Sequence, residues 1–389
     1  MQSVYALEGV RVVDLTTILM GPLASRILGD HGADVVQVVA PNAPRSVTGD
    51  ESGMGGIALD LHRNKRSVRL DLKSAAGRGA LLDLIDHSDV LVTNMRHAAL
   101  ARLGLDAESV RIRSPALIYC LANGYGEEGP YAGRAAYDDA IQALSGFAAL
   151  SERIDGEPRY APSVVVDKMC SLFIVQAVMA ALLARARTGE GQTIAVPMFE
   201  TMSAFNLVEH LRGAAMIPPR GEIGYSRLLN RNRRPFRSRD GWVAILPYSE
   251  QNWRDFFNLI GQPERLDDPR FSTHNRRLDN AEALYGIVAE AAPQRTTEAW
   301  QEVCDAHSIP CNPVLDIADL LDDPHLNAVE LLQTLEHPEE GPYRSVRHPV
   351  SYDGLRTDVR RHAPVPGQHT REVFRELGWP DEKIEPLLD

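Results

Sequence analysis

Residues 10–39 of the 389-residue chain read VRVVDLTTILMGPLASRILGDHGADVVQVV. The two runs at its ends, residues 10–15 and 33–39, are rich in valine and have the length of strands that are buried on both faces. The segment between them predicts a helix from Pro22 to Gly29. A strand, a helix and a second strand in direct succession are typical of a βαβ unit in a parallel sheet.

The same alternation continues along the first half of the chain. Its pattern predicts further strands at residues 67–72, 89–94, 117–121 and 192–197, and helices at residues 75–87, 168–187 and 199–211. We therefore expect an α/β fold with an open parallel, nucleotide-binding-like sheet and helices on both faces. Ligands in such sheets bind beyond the carboxyl ends of the strands. The turns concerned are residues 16–21, 40–45, 94–97 and 123–126.

A stretch rich in Gly, Pro, Asn and Arg, residues 218–240, interrupts the pattern and predicts a linker or loop. A smaller set of elements follows, with a strand at 241–246 and helices at 251–260, 280–291 and 296–307. We expect a large α/β domain in residues 1–220, completed by residues 330–389, and a small α+β domain with its linker in residues 221–329.

Composition excludes several functional classes. The net charge of −12 argues against general nucleic-acid binding, which needs a basic surface. No uninterrupted apolar run reaches the roughly 18 residues of a membrane span, and the N-terminus lacks the pattern of a signal peptide, so no membrane partner is expected. Free thiols and a cytoplasmic location are expected because the cysteines are few and widely spaced. They are Cys120, Cys170, Cys304 and Cys311.

The usual cofactor motifs are missing. Residues 17–22, TILMGP, stand where a dinucleotide-binding sheet would carry its glycine fingerprint, which disfavours a nicotinamide or flavin dehydrogenase. The sequence also lacks a P-loop, a paired-histidine metal motif and the nucleophile elbow of α/β-hydrolases. We therefore expect no metal and no permanently bound cofactor.

Asp167 precedes the long helix predicted at residues 168–187, a position typical of an N-cap. A cap with no further role explains it. The same setting also suits a nucleophile, because the helix dipole favours the ionised carboxylate and the preceding residues 164–166, all valine, are apolar. A poorly solvated carboxylate can attack an activated acyl group.

Motifs spread in order over nearly the whole chain resemble the class III CoA-transferase family, which includes formyl-CoA transferase and carnitine CoA-transferase and shares its fold with α-methylacyl-CoA racemases. They are LEGVRVVDL (7–15) with GP (21–22), GADVV (32–36), NKRSV (64–68), LDL (70–72), Asn94, LGL (103–105), GYG (124–126), GPY (129–131), TGEGQ (188–192), DGW (240–242), DPRF (268–271), Gly367 and HT (369–370).

The resemblance implies a CoA-transferase that moves CoA from an acyl-CoA to a carboxylic acid. In that family an aspartate forms a mixed anhydride and then a CoA thioester, and its position here is Asp167. Asp138, beside Tyr137, matches an acidic residue near the reaction centre. The CoA-contact positions correspond to Ile18, Leu19, Met20, Leu70, Asn94, Met95, Arg102 and Met198. CoA and acyl-CoA are then substrates, and an interlocked homodimer is expected.

The chain departs from the family pattern at two places. Gln37 and residues 39–40 stand where the family often has Lys and Glu, which puts nucleotide contacts there in doubt. Leu19 replaces a Gln of the formyl-transferase branch, and the glycine-rich loop of that branch is missing. Formyl-CoA and oxalate are therefore disfavoured as substrates.

Two other functions remain open. The racemases of this fold place a His directly before the acidic residue, where this chain has Tyr137, and an unperturbed tyrosine is a poor base at neutral pH. A non-catalytic CoA-binding protein is the second alternative, and an aspartate in the nucleophile's position argues against it.

Residues 220–239 hold seven arginines and one acid, Glu222, a local charge of +6. These arginines either form a solvated or interfacial surface, or some of them bind a carboxylate of the acceptor. In the second case Arg233 and Arg234 are the main candidates, because arginine pairs with carboxylates through two parallel hydrogen bonds. A dicarboxylic acid would suit such a site.

Overall fold

The computed structural model describes residues 5–45 and 53–388. Its strands are β1 (Arg11–Leu15), β2 (Asp34–Val39), β3 (Lys65–Arg69), β4 (Val90–Thr93), β5 (Ile118–Asn123), β6 (Thr193–Pro197), β7 (Phe236–Arg237), β8 (Trp242–Ile245), β9 (Cys311–Pro313), β10 (Leu332–His337), β11 (Gly341–Val346), β12 (Ser351–Tyr352) and β13 (Leu355–Arg356). Its helices are α1 (Met20–Asp30), α2 (Gly55–Leu61), α3 (Ala75–Asp86), α4 (His97–Leu103), α5 (Ala107–Arg113), α6 (Asp138–Leu144), α7 (Ala149–Asp155), α8 (Val165–Thr188), α9 (Met198–His210), α10 (Glu250–Leu259), α11 (His274–Asp279), α12 (Ala281–Ala291), α13 (Thr297–Asp305), α14 (Pro324–Ala328), α15 (Thr370–Glu376) and α16 (Asp381–Ile384).

The central sheet has the strand order β3-β2-β1-β4-β5-β6, and every neighbouring pair is parallel. The predicted parallel α/β sheet is confirmed. This order is that of a doubly wound nucleotide-binding sheet, in which the direction of winding reverses between β1 and β4. The crevice beyond the carboxyl ends of these two strands is therefore the expected ligand position.

Strand β3 lies about two residues earlier than the sequence pattern predicts, at Lys65–Arg69 in place of residues 67–72. Lys65 and Arg66 at the start of β3 are charged, and charged residues are seldom fully buried. Lys65 is fully buried, and its Nζ lies 2.9 Å from Asp14 Oδ2 on β1. Burial alone would raise the pKa of Asp14, but the Lys65 ammonium and the hydroxyls of Ser25 and Thr16 hold it below its ordinary value.

The chain separates into two compact units. The first unit comprises Met1–Ser145, Ala161–Ala204 and Pro324–Asp389, so it contains the whole central sheet. The C-terminal residues complete its core, because Val373 and Phe374 of α15 pack among the sheet and α3 side chains. Arg66 of β3 also forms ion pairs with Glu372 and Glu376 of α15.

The second unit comprises Gly146–Tyr160 and Phe205–Asp323. Its three-stranded sheet has the order β7-β8-β9, with antiparallel neighbours. Helices α10, α12 and α13 supply most of an aromatic core that includes Phe256, Phe257 and Trp300. Residues 218–235, part of the stretch predicted as a linker or loop, carry no regular helix or strand.

Helix α8 passes, by length and composition, the test for a membrane-crossing helix, with a mean hydropathy of 1.9 over its most apolar window. No uninterrupted apolar run in α8 reaches 18 residues, because Asp167, Lys168, Ser171, Gln176 and Arg185 interrupt it. The core helix of a globular protein meets the same criterion. Helix α8 packs on α1, α6, β5 and β6.

Candidate active site

The turn between β1 and α1 is built for close packing. Asp14, at the end of β1, accepts hydrogen bonds from the backbone N–H of Thr16 at 3.0 Å and from its hydroxyl at 2.5 Å. The start of α1 then lies so close to Thr16 that a Cβ on Gly21 would come within 2.4 Å of the Thr16 Cβ. Only glycine fits this position, so the turn is fixed by Asp14, Thr16 and Gly21 together.

Ile18, at the tip of this turn, has a φ of +72° and an exposed side chain. A β-branched residue seldom adopts this left-handed conformation, because its Cβ crowds the backbone. Strain of this kind concentrates at functional sites, where surrounding structure maintains it. An exposed apolar side chain on a strained turn at the carboxyl end of β1 is the property expected of a ligand contact.

Asn94 joins the two strands on either side of the reversal point. Its Oδ1 accepts the backbone N–H of Thr17 at 3.1 Å, and its Nδ2 donates to the Thr17 carbonyl at 2.9 Å. This double hydrogen bond holds the turn after β1 against the end of β4. The predicted contacts Ile18, Leu19, Met20, Asn94 and Met95 are therefore brought together at one edge of the sheet.

Asp167 is the third residue of α8, which begins at Val165 and is preceded by Val164 as its N-cap residue. The expected N-cap role of Asp167 is therefore wrong. The helix starts earlier because the backbone N–H of Asp167 has another acceptor, Asp138 Oδ2 at 3.0 Å. The Asp167 side chain is thus not needed to cap the helix, and it keeps the favourable position of an acid in the first turn.

Ser171 connects the first turn of α8 with the turn after β1. Its hydroxyl lies 2.7 Å from the Asp167 carbonyl and 2.6 Å from the Met20 carbonyl, within hydrogen-bond distance of both. Ser171 is fully buried, and α1 packs along α8. Asp167 and the predicted CoA-binding turn are therefore neighbours within the first unit.

Asp138, the first residue of α6, is buried beside the start of α8. One carboxylate oxygen accepts the Asp167 N–H, and the other accepts Gln142 Nε2 at 2.5 Å. Burial, followed by the negative charge of Asp138, raises the pKa of Asp167 to about 6. The arrangement therefore places a basic, poorly solvated carboxylate at the start of α8.

The neighbouring Cys170 is no competing nucleophile. Its thiol is buried, and burial together with the charges of Asp167 and Asp138 raises its pKa to about 12. A thiol with so high a pKa remains protonated at neutral pH, and the protonated form is a weak nucleophile.

The other predicted residues lie in different settings. Tyr137 is exposed at the start of α6, and Arg102 is exposed on α4, where its Nε donates to the Ala98 carbonyl at 3.2 Å. Leu70 and Met198 have buried side chains, and Leu70 belongs to the core under the sheet. The structure places Arg233 and Arg234 in the second unit as exposed residues. Their roles stay predictions.

Residues 5–45 and 53–388 contain no group of three or more His, Cys, Asp or Glu side chains that could hold a metal ion. The four cysteines are free thiols, all of them buried.

Sequence reasoning missed three residues that hold the site together: Thr17, Gln142 and Ser171. Gln142 could have been found, because it lies four residues after Asp138 and would share its face on any helix that starts there. Thr17 and Ser171 act through backbone groups of distant segments, and no spacing in the sequence reports such contacts.

Comparison with known proteins identifies the class. The family model for CoA-transferase family III matches residues 7–370. The chain belongs to this family and is an enzyme, a class III CoA-transferase. Members of the family transfer CoA between acyl-CoA thioesters and carboxylic acids.

Among its relatives, a succinate–glutarate CoA-transferase of Agrobacterium fabrum is 29% identical over 384 residues, which cover 95% of each chain. A formyl-CoA:oxalate CoA-transferase of Streptomyces coelicolor is 30% identical over 405 residues, which cover 98% of each. A solved structure of a CaiB/BaiF family protein from Brucella suis has 28% identity and a TM-score of 0.79, covering 96% of this chain and 100% of the other.

Proposed function

We propose that the protein transfers CoA from an acyl-CoA to a carboxylic acid through a covalent intermediate on Asp167. The observation that carries this proposal is the setting of that carboxylate. It is buried, it has a pKa of about 6, and it adjoins the turn at the reversal point of the sheet. It is therefore ionised at neutral pH and more basic than an ordinary aspartate, two properties that favour nucleophilic attack.

The reaction begins when an Asp167 oxygen attacks the thioester carbonyl carbon. The C–S bond breaks, a mixed anhydride forms, and the negative charge passes from the carboxylate to the CoA sulfur. The thiolate then attacks the aspartyl carbonyl carbon and expels the donor's carboxylate, which leaves an aspartyl–CoA thioester. The acceptor carboxylate then attacks the aspartyl–CoA thioester and expels the CoA thiolate, which forms a second mixed anhydride. The thiolate attacks the acceptor's carbonyl carbon in this anhydride, which releases the new acyl-CoA and free Asp167. Every step exchanges one anionic nucleophile for one anionic leaving group, so no proton has to move.

The predicted CoA contacts lie on the turn after β1, at the end of β4, on α4 and at two buried positions. Ile18, Leu19 and Met20 would contact CoA from the turn after β1, with Asn94 and Met95 across the crevice. Arg102 would pair with a phosphate or stack on the adenine, because its guanidinium is planar and exposed. Leu70 and Met198, whose side chains are buried, would take part by shaping the floor of the site.

The Asp167→Asn variant tests the nucleophile. Asparagine retains the shape of the side chain but cannot form the anhydride, so transfer should fall by orders of magnitude. The matched control is Asp139→Asn, which removes an exposed acid from the first turn of α6. Hydroxylamine added during turnover should convert the acylated residue to a hydroxamate, which peptide mass spectrometry locates. Near wild-type transfer in Asp167→Asn would rule out the mechanism.

We propose a dicarboxylic acid as the acceptor. Arg233 and Arg234 are exposed, and within the described part of the chain neither forms an ion pair. The succinate–glutarate and formyl-CoA:oxalate relatives act, by their names, on dicarboxylates. A free second carboxylate would bind a guanidinium through two parallel hydrogen bonds. Because Leu19 and the missing glycine-rich loop disfavour oxalate, succinate and glutarate are the preferred candidates.

This specificity is tested by comparing kcat/KM for succinate and its monomethyl ester as acceptors. The wild type should prefer the diacid, and the Arg233→Ala/Arg234→Ala variant should lose that preference. Arg231→Ala, an exposed arginine of the same segment, is the matched control and should retain it. Equal use of both acceptors by the wild type would refute the role of these arginines.

We also propose that the enzyme is a cytoplasmic homodimer with a small domain in residues 221–329. Buried free thiols are consistent with a reducing compartment. Exposed apolar residues of α8, among them Leu172, Phe173 and Leu183, are consistent with a protein interface.

A further inference from the structure

Gln142 is a buried polar side chain near Asp167 that forms hydrogen bonds to three other residues. It is fully buried on α6, and both ends of its amide are used. Its Oε1 accepts the backbone N–H of Ala161 at 2.9 Å, while its Nε2 donates to Asp138 Oδ1 at 2.5 Å and lies 3.4 Å from the Ser163 carbonyl.

These contacts fix the orientation of the amide. The Ala161 N–H can only donate, so it must face the amide oxygen. The amide nitrogen must then face Asp138, and its hydrogens require an acceptor there. Gln142 therefore presents a donor to the Asp138 carboxylate and fixes the direction in which that oxygen points.

The second oxygen of Asp138 is held in the same way. It accepts the backbone N–H of Asp167 at 3.0 Å, so the carboxylate bridges a fixed amide on α6 and the first turn of α8. Without Gln142, this carboxylate would keep a single protein donor among the hydrogen bonds described. It could then rotate away from the first turn of α8, because one hydrogen bond does not fix the plane of a carboxylate.

We infer that Gln142 is a positioning residue for CoA transfer: by holding the Asp138 carboxylate aimed at the first turn of α8, it sets the position of Asp167. This inference rests on the function proposed above. The described hydrogen bonds of Gln142 go to Asp138, Ala161 and Ser163 and not to the Asp167 carboxylate, so Gln142 acts through Asp138.

The fixed charge has a chemical consequence for the attack. Two carboxylates repel each other while Asp167 is free, and this repulsion ends when Asp167 becomes a neutral anhydride and its charge moves to the CoA sulfur. Asp138 therefore disfavours the ground state relative to the acylated state. The effect requires the Asp138 carboxylate to stay in place, and the hydrogen bond from Gln142 holds it there.

The other titratable groups near the two carboxylates do not substitute for this arrangement. From α8, the Lys168 ammonium is bound to Ser163 Oγ at 2.9 Å, and the Cys170 thiol stays protonated at neutral pH. From α6, Tyr137 and Asp139 are exposed. The packed end of α1, residues 20–25, has only uncharged side chains.

A double-mutant cycle tests whether Gln142 acts through Asp138. Gln142→Met keeps the size of the side chain but removes the donor, and should lower kcat by roughly ten- to a hundred-fold with little change in the KM for succinyl-CoA. In the Asp138→Asn background the same substitution should cost little further, because the carboxylate it serves is gone. Ile141→Val, a neighbouring core substitution on α6, is the control and should have the same small effect in both backgrounds.

Gln142→Glu adds a pH readout that a purely structural role would not produce. Glutamate can accept the Ala161 N–H, but it offers Asp138 a donor only when protonated. The activity of this variant relative to wild type should therefore rise as the pH falls from 8 to about 5.5, while the ratio for Gln142→Met stays flat.

Melting temperatures of the same variants report on the contact without turnover, so they distinguish this inference from the proposed reaction. Gln142→Met should lower the melting temperature in the wild-type background more than in Asp138→Asn, and the deficit of Gln142→Glu should shrink at low pH. An equal loss in both backgrounds, or a pH-independent deficit for Gln142→Glu, would overturn the inference. Absence of CoA transfer in the wild type would overturn the proposed function alone.

Discussion

Asp167→Asn should make the folded protein more stable at pH 8 while it abolishes transfer. Burial and the charge of Asp138 raise the pKa of Asp167 from 3.8 to about 6. Because this pKa is higher in the folded than in the unfolded chain, the group contributes stability that is fully present below about pH 4. That contribution is lost as the pH rises through about 6. At pH 8 the ionised carboxylate therefore opposes folding.

The magnitude follows from the shift. Roughly two pKa units at about 1.4 kcal/mol per unit correspond to about 3 kcal/mol. Asparagine removes this cost but also loses the attraction of a first-turn acid to the helix dipole, which is about 0.3–1 kcal/mol. Since the first effect is the larger, a net gain of about 2 kcal/mol is expected. With an unfolding entropy of roughly 0.8 kcal/mol/K for a chain of this length, the melting temperature should rise by about 2–3 °C.

The assay is thermal unfolding of wild type, Asp167→Asn and the control Asp139→Asn at pH 8 and pH 4. The gain in melting temperature of Asp167→Asn should appear at pH 8 and largely vanish at pH 4. At pH 4 the Asp167 carboxyl is protonated in the folded protein and in a large share of the unfolded chains. Asp139 is exposed, so its substitution should give no gain at either pH. A melting temperature of Asp167→Asn equal to or below that of the wild type at pH 8 would refute the reasoning about this carboxylate.

Three further outcomes are expected. Arg102→Ala should raise the KM for acyl-CoA and change kcat less, since the residue would bind CoA in the ground state; steady-state kinetics that show the reverse would exclude this contact. Lys65→Met should destabilise the fold by about 3–5 kcal/mol in urea unfolding, because it leaves the buried Asp14 without its cation, whereas a loss below 1 kcal/mol would mean that the pair is dispensable. Gly21→Ala should lower both stability and affinity for CoA, because its Cβ would meet Thr16 at 2.4 Å; calorimetric titration with CoA measures the affinity, and wild-type binding would show that the turn can relax.

The sequence determined the sheet because its strands carry their own pattern. Valine-rich runs such as residues 33–39 cannot avoid burial on both faces, and their alternation with helical segments leaves few topologies. The ordered motifs likewise indicated the family without reference to any contact. The predicted start of β3 was two residues too late. A lysine such as Lys65 is buried only when an acid pairs with it, and the sequence pattern does not show that Asp14 lies beside it.

For the site, the sequence supplied Asp167, Asp138 and the turn at residues 18–20 as candidates, but it could not supply their arrangement. It assigned Asp167 as a helix cap, since an isolated helix has no other acceptor for its first N–H groups. Only the tertiary structure brings the Asp138 carboxylate to the backbone N–H of Asp167, where it takes the place of a helix cap. Burial and this neighbouring charge then raise the pKa of Asp167 to about 6. Hydrogen bonds and pKa shifts depend on distance and solvent exclusion between segments remote in sequence, and these exist only once the chain is folded.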